Sequence, residues 1–442
     1  MKSDGSLPVA IVGGGFSGTM VAAQLARHGI DSVLIEKAGG RAGQGIAYST
    51  RESAHVLNVR AEVMSAWADD LDHFSRVAEA AGGTRKDFVQ RREFGQYLKQ
   101  QLAEAVESGR VRVVEREAIE ARPSDGDWTV AVDGGELIRA SGLVLAIGNQ
   151  PPEPMPFGRG NPRVINNPWG AEALGAVKDL ASTNEDILLV GTGLTMVDAV
   201  LSLEAAGHRG RIVGLSRRGL FPRGHVNDMV PAPIEAENVP SGNVRTLWRW
   251  LRKRGAEVGW RSAVDSLRPH THWIWTGLPL EEKKRFSRHA RPWWDVHRHR
   301  IAPEVAQQLH ALVQQGRLEV VAGRIQSVEE QDDALHVTYR RRGSERVSEG
   351  RFAYMLNCTG PLGTISRTKD PMLEQMLADG LIKPDDLGIA LDVDDSSRVV
   401  GSEKAWAMGP MTKGRYWEII AVPDIRGQAA QVADDIATEL AR

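Results

Sequence analysis

One cysteine, Cys358, stands in 442 residues. An intrachain disulfide is excluded, and so are a CxxC redox centre and a metal site built on several thiolates. Cys358 itself sits mid-strand among apolar residues and reads as a core residue, not a nucleophile. No stretch approaches the ~18 consecutive apolar residues of a membrane-spanning helix. An excess of one charge is missing too: 55 Lys and Arg against 57 Asp and Glu leave a formal net charge of −2. Nothing pulls such a chain towards nucleic acid or an anionic membrane. The opening "MKSDGS" runs at once into an apolar strand and leaves no room for a signal peptide, so a cytoplasmic location is expected. The pairs His270/His272 and His297/His299 have no cysteine beside them, and residues two apart on a helix do not face each other. No metal is expected.

Glycine is what the chain has in plenty, 46 residues or roughly 10% against an average near 7%. Tight strand-to-helix turns use it, and "LPVAIVGGGFSGTMVAAQLARHGIDSVLIEKAGG" contains one. Val9–Val12 is a short apolar run suited to a buried parallel strand. Gly13, Gly15 and Gly18 then give G-x-G-x-x-G. Apolar residues recur at helical spacing through Val21, Ala22, Leu25 and Ala26, and Gly29 suits a left-handed helix C-cap. Ser32–Ile35 is the next strand, closed by Glu36, 23 positions after Gly13. Gly13 makes the tight turn, and Gly15 lets the backbone approach a pyrophosphate. Gly18 lets the helix pack closely on the strand, and Glu36 can accept hydrogen bonds from a ribose. A dinucleotide site is expected here, with Gly14, Phe16 and Ser17 at the helix N-terminus and Lys37 beside the acid.

The plan then repeats. "VRVVEREAIEARPSDGDWTVAVDGGELIRASGLVLAIGNQPPEP" reads as three short strands with turns, then an apolar strand ending at Gly148. "LEVVAGRIQSVEEQDDALHVTYRRRGSERVSEGRFAYMLNCTGPLG" also reads as three short strands, then an apolar strand ending at Gly360. Upstream of the second copy stands "ILLVGTGLTMVDAVLSLEAAGHRGRIVGLSRRG". Gly191 and Gly193 keep the turn and the phosphate approach, with Leu194 and Thr195 opening the helix. Met196 takes the place of the third glycine, so the helix is expected to stand off slightly or the side chain to fill a gap. The second strand ends in Ser216-Arg217-Arg218, with no acid. An acid would repel a 2′-phosphate, whereas a guanidinium pairs with it, so NADPH is expected over NADH.

These stretches, with "GIAYST", "HVLNVRAEVMS", "LSRRGLFPRGH", "ARPWWDVHRHRIAP" and "WAMGPMTKGRYWEIIAVPDIRGQA", resemble the two-dinucleotide-binding-domain flavoproteins. More closely, they are similar to the bacterial FAD/NAD(P)-binding protein family, with a distant likeness to flavin-containing, Baeyer–Villiger and N-hydroxylating monooxygenases. The resemblance implies an α/β fold of two Rossmann-like dinucleotide-binding domains, for FAD and NADPH. Each would carry a small β-meander, and the second a helical insertion. Expected limits are 1–165 for the first part of the FAD domain, 166–360 for the NAD(P)H domain with an insertion at about 221–310, and 361–442 for the second part of the FAD domain. "EKAGGRAGQGIAYST" would run along FAD towards the flavin. The resemblance puts the ADP part of FAD on the first glycine motif and Glu36, the adenine edge near the Ala118 backbone, and the flavin near Gly45 and Asn58. The last FAD motif, usually Gly-Asp, reads Gly409-Pro410-Met411 here, so backbone groups would replace the missing carboxylate. The helix near Asp424 would aim its N-terminus at the flavin. "FGRGNPRVINNPW" echoes the Baeyer–Villiger linker but has no histidine, which argues against that chemistry.

The insertion holds seven of the 12 tryptophans, within Trp248–Trp294. Arg291, Trp293, Trp294 and Arg298 are expected to wall a substrate site, by stacking and by pairing with an anion; the alternative is a helical cap whose tryptophans pack its small core and whose arginines are solvated. Two enzymatic readings follow. One is an NADPH-dependent flavin monooxygenase that puts one atom of O2 into a small organic substrate through a peroxyflavin. The other is an NADPH oxidoreductase passing electrons to a small acceptor. A nucleotide-binding sensor without turnover is a third reading.

Overall fold

Residues 6–442 are described by a computed structural model. The first module holds β1 (Val9–Val12), β2 (Ser32–Ile35) and β3 (Val111–Val114), a meander of β4 (Ala118–Ser124), β5 (Asp127–Val132) and β6 (Leu137–Ala140), and then β7 (Gly142–Leu145). β1 lies between β2 and β7, parallel to both, and β3 extends the sheet beyond β2. Alternation along β1 sorts its residues between two cores. Val9 and Ile11 face the helices Phe16–Arg27, Arg91–Glu107 and Val422–Leu440. Ala10 and Val12 face the meander, with Trp128 and Val130. A strand covered on both faces needs this unbroken apolar run.

The second module repeats the layers with β8 (Val164–Ile165), β9 (Ile187–Val190), β10 (Ile212–Ser216), β11 (Leu318–Gln331), β12 (Ala334–Arg341), β13 (Val347–Phe352) and β14 (Tyr354–Asn357). Ile187 and Leu189 face the helices, while Leu188 and Met355 face β12 and β13. Its meander differs from the three short strands expected. β11 runs for 14 residues: its first part pairs with β10 in parallel and its second part with β12 antiparallel. Sheet and meander therefore form one seven-stranded sheet, whereas the first module keeps a separate three-stranded one. β8 pairs with β14, so the second sheet starts at Val164, slightly before the expected boundary at 166. β15 (Ala405–Ala407) joins the first sheet beside β7, and the Val422–Leu440 helix packs on that sheet's helical face.

The helical insertion leaves after β10 and returns through the Pro303–Gln314 helix to β11. Arg223 and His225 zip its stem by backbone hydrogen bonds to Val296 and Ile301. Two small cores hold it, one around Leu251, Val264 and Trp294, the other around Val244, Trp275 and Leu278. Among the described residues no helix is long and apolar enough to cross a membrane, and no group of three or more His, Cys, Asp or Glu could hold a metal ion.

Candidate functional site

A cavity of about 430 Å³ runs along the carboxyl end of the first sheet, where the glycine turn leads into the first helix. Gly13 has φ +107°, and a Cβ on it would lie 2.4 Å from the Ala146 carbonyl oxygen. A Cβ on Gly18 would lie 1.9 Å from the Gly13 carbonyl oxygen, so Gly18 sits under the turn, not on the cavity wall. Gly13, Gly15, Phe16 and Ser17 line the cavity. The first helical hydrogen bond comes from Thr19 N–H to the Gly15 carbonyl, so the N–H groups before it are the unsatisfied donors of a helix N-terminus. Gly45 closes on Gly15: a Cβ there would come within 2.8 Å of the Gly15 Cα. The result is a cradle of bare backbone, which suits the pyrophosphate of a dinucleotide.

Glu36 lines the cavity and accepts hydrogen bonds from the N–H groups of Gly14 (2.7 Å) and Ala38 (3.0 Å). A carboxylate has about four acceptor positions, so it retains capacity for ribose hydroxyls. Lys37 and the Ala118 strand start also line the wall. Tyr48 lines it farther along, and burial pushes its phenol up to about 12. Its hydroxyl therefore stays protonated and available as a donor. Asn58 does not line the cavity; its carbonyl accepts a hydrogen bond from His225 Nε2 at 2.9 Å. Pro410 lines it, flanked by Gly409 and Met411, which do not. The Gly409 N–H donates to Gln428 Oε1 at 2.7 Å, so that backbone donor is already engaged. The C-terminal helix begins at Val422, two residues before the expected Asp424, and Val422 and Ile425 line the cavity.

The second module opens into the same cavity through Thr195 and Gly360, while Gly148 lines it from the first. Gly191 repeats Gly13, with φ +111° and a Cβ position 2.2 Å from the Cys358 carbonyl oxygen. Gly193 caps the Leu194–Ala205 helix with φ −89°, ψ −161°, close to the −75°, −165° of Gly15. Gly191, Gly193 and Leu194 do not line the cavity. Met196 is fully buried, and a Cβ built on Gly214 of β10 would touch its sulfur at 3.6 Å. Of the two readings of Met196, gap filling describes what is seen: Gly214 is the gap. Arg217 is exposed and has no hydrogen bond or ion pair, while Arg218 donates to the Arg288 carbonyl at 3.2 Å.

Arg91, Arg41, Asn167 and Trp169 also line the cavity, and none of them was expected at the site from the sequence. Arg91 joins the modules. Its guanidinium makes two hydrogen bonds, 2.8 and 2.9 Å, to Asp198 on the second module's helix, with both side chains largely buried. His55 supports the joint, its Nε2 lying 3.0 Å from the Asp198 carbonyl oxygen and 3.1 Å from Ser202 Oγ.

The insertion's expected substrate residues lie elsewhere. None of Arg291, Trp293, Trp294 and Arg298 lines the cavity. Trp294 is buried in the insertion core, and its indole N–H donates to Glu418 at 2.7 Å. Arg298 pairs with the same carboxylate at 3.3 Å. Despite near-complete burial, Glu418 is held down at about 2, by His299 first and then by Arg298 and the Trp294 indole. Arg291 lies over the Trp417 ring, and Trp293 faces solvent. These side chains fasten the insertion to the segment that ends in Ile420 and Val422, because a buried carboxylate has to be paired.

Residues 10–150 match the family model described as FAD-NAD(P)-binding. A search of curated proteins gives no match. Among solved structures, the ornithine N-hydroxylase of Kutzneria sp. 744 is 17% identical with a TM-score of 0.68, and the ornithine hydroxylase of Pseudomonas aeruginosa is 15% identical with a TM-score of 0.67. Both alignments cover 98% of this chain and 100% of the other. The bacillithiol disulfide reductase of Staphylococcus aureus is 14% identical over 98% of this chain and 99% of its own, with a TM-score of 0.57. At such identities the likeness shows the fold alone. The matched stretch is thus the first module of a two-module α/β fold shared with these flavoproteins.

Proposed function

We infer that the protein is an FAD-dependent oxidoreductase that uses NADPH and inserts one oxygen atom of O2 into a small organic substrate. The observation that carries the reading is one cavity lined from both modules, next to the glycine turn of each. Gly13, Gly15 and Glu36 line it from one module, Thr195 and Gly360 from the other, so two dinucleotides can meet there. When bound, FAD would supply hydride acceptance and oxygen activation. The chain's own groups do the rest. The N–H groups opening the Phe16–Arg27 helix hold phosphate, and Glu36 takes ribose hydroxyls. Arg217, free of any acid, pairs with the 2′-phosphate that distinguishes NADPH. Tyr48, Trp169, Ile420 and Val422 keep water from the reacting end.

Oxygen insertion is favoured over reduction of a disulfide through a cysteine pair by Cys358. It is the only cysteine, it is buried behind the Gly191 turn, and burial pushes its thiol far above the ordinary range. A dithiol relay within the chain is therefore excluded. NADPH-reduced, FAD-loaded protein mixed with O2 in a stopped-flow spectrometer tests the reading. Reoxidation through a distinct absorbing transient, with oxygen recovered in product, supports oxygen insertion. A single-phase return with stoichiometric H2O2 assigns the alternative, electron transfer to a small acceptor.

A further inference from the structure

Beside the large cavity lies an annex of about 20 Å³. The two share Gly148, Asn149, Gln150, Pro361 and Pro410, so the annex opens from the same wall. Its one charged lining residue is Lys413, which follows the 3₁₀ turn Gly409–Thr412. The ammonium of Lys413 has no hydrogen bond and no ion pair, although the side chain is half-buried. A lysine withdrawn from water is ordinarily paired, so this one lacks its anion. The nearest charges do not supply it. Asp385 packs on Gly414 and spends Oδ1 on the N–H groups of Ile389 (2.7 Å) and Ala390 (3.0 Å). Arg291, on the Arg291–Arg298 helix, adds a second positive charge on the same side and pairs with Asp295. Asn149 has an unbonded side chain on the annex wall, and Gln150 spends its oxygen on Thr368, leaving its amide donors free.

We propose that Lys413 is the anion anchor of the substrate site, and that the annex receives the carboxylate of a small organic acid whose remainder lies in the large cavity. This rests on the oxidoreductase reading above. Size selects carboxylate over phosphate: ~10–15 Å³ holds one water, so the annex admits a planar carboxylate head and little more. Donors select it as well: Lys413, Asn149 and Gln150 are the polar residues of a lining that otherwise includes Leu362, Ile365 and Met411. Burial, with Arg291 as a smaller cause and Asp385 opposing it, lowers Lys413 to about 8. The anchor is therefore charged below that pH and fades above it.

The test is calorimetric titration of the FAD-loaded protein with benzoate and acetate, using benzamide as the uncharged control. Benzoate should bind the wild type and lose about tenfold or more in affinity in Lys413→Met, the range for a hydrogen bond to a charged group. Lys413→Arg should retain most of it. Benzamide should bind all three alike, and benzoate should weaken in the wild type between pH 6.5 and 9.5. FAD content and melting temperature should stay unchanged in Lys413→Met. Failure of both benzoate and acetate to bind the wild type, or equal affinity in wild type and Lys413→Met, overturns the proposal. So does a flavin spectrum or FAD content that changes in Lys413→Met without added acid, which would make Lys413 a flavin ligand. Binding is read without turnover, so the oxygen experiment can fail while this one succeeds.

Discussion

The two nucleotide modules use one backbone plan with opposite assignments of bulk and charge. In strand register, Leu34 of β2 stands opposite Ile11, and Gly214 of β10 opposite Leu189. The first module puts glycine on the helix, at Gly18, and leucine on the strand. The second puts methionine on the helix, at Met196, and glycine on the strand. Bulk is exchanged across the helix–strand contact, so both interfaces are filled. Two positions along the helix, Met20 is fully buried in one module, while the equivalent Asp198 is paired with Arg91 in the other. At the strand end, Glu36 faces Gly14, whereas Ser216 binds Thr192 and leaves Arg217 free. The lesson is that a missing third glycine does not by itself mean a ruined nucleotide site.

The largest expected effect comes from the joint between the modules. Asp198→Ala strands a buried guanidinium and should cost ~3–5 kcal/mol, read by chemical denaturation, with the NADPH reduction rate falling as the modules lose register. Unchanged stability would mean that the pair is solvated in solution.

The exchange of bulk comes next. Gly18→Met should cost ~3 kcal/mol and abolish FAD retention, because its Cβ meets the Gly13 carbonyl at 1.9 Å. Met196→Gly should cost ~2–4 kcal/mol by leaving a void. Adding Gly214→Leu should restore ~1 kcal/mol of that, and a double-mutant cycle with no coupling would refute the compensation.

Acid sharpens the comparison at the insertion that only the second module carries. Glu418, which anchors it, sits at about 2, below its ordinary 4.5. A depressed carboxylate stabilises the fold fully above pH ~5 and loses that contribution as pH falls through its folded value. The difference in melting temperature between wild type and Glu418→Gln should therefore shrink steadily from pH 6 towards pH 2.5. A constant difference would show that the charge on Glu418 is immaterial.

Smaller still is the strand-end charge. Arg217→Ala with Arg218→Ala should flatten an NADPH-over-NADH preference of roughly 10–150-fold, the equivalent of ~1.5–3 kcal/mol, measured as kcat/KM ratios. Equal use of both nucleotides by the wild type would remove Arg217 from the site. The smallest effect belongs to exposed pairs such as Arg112–Glu136, half in solvent on both sides, where Glu136→Gln should change stability by under ~1 kcal/mol.

Local pattern alone determined much of this protein. Val9–Val12, Ser32–Ile35 and Ile187–Val190 are strands at the residues read from the sequence, since short apolar runs closed by glycine or, after Ile35, by Glu36 leave few alternatives. The Gly13 and Gly191 turns were equally legible, because positive φ next to a backbone carbonyl admits little else. Tertiary structure decided the rest. Arg91 and Asp198 lie 107 positions apart, and no periodicity joins them. The Trp/Arg/His run of the insertion looked like a binding face, yet Trp294 and Arg298 turn inward to one buried carboxylate 124 and 120 positions away. Lys413 lies in the stretch that resembles the family, but nothing in that pattern marks it as an anion site. A lysine is ordinary in a sequence and becomes conspicuous only when folding takes it from water without giving it an anion, because the cost of a lone charge depends on what surrounds it.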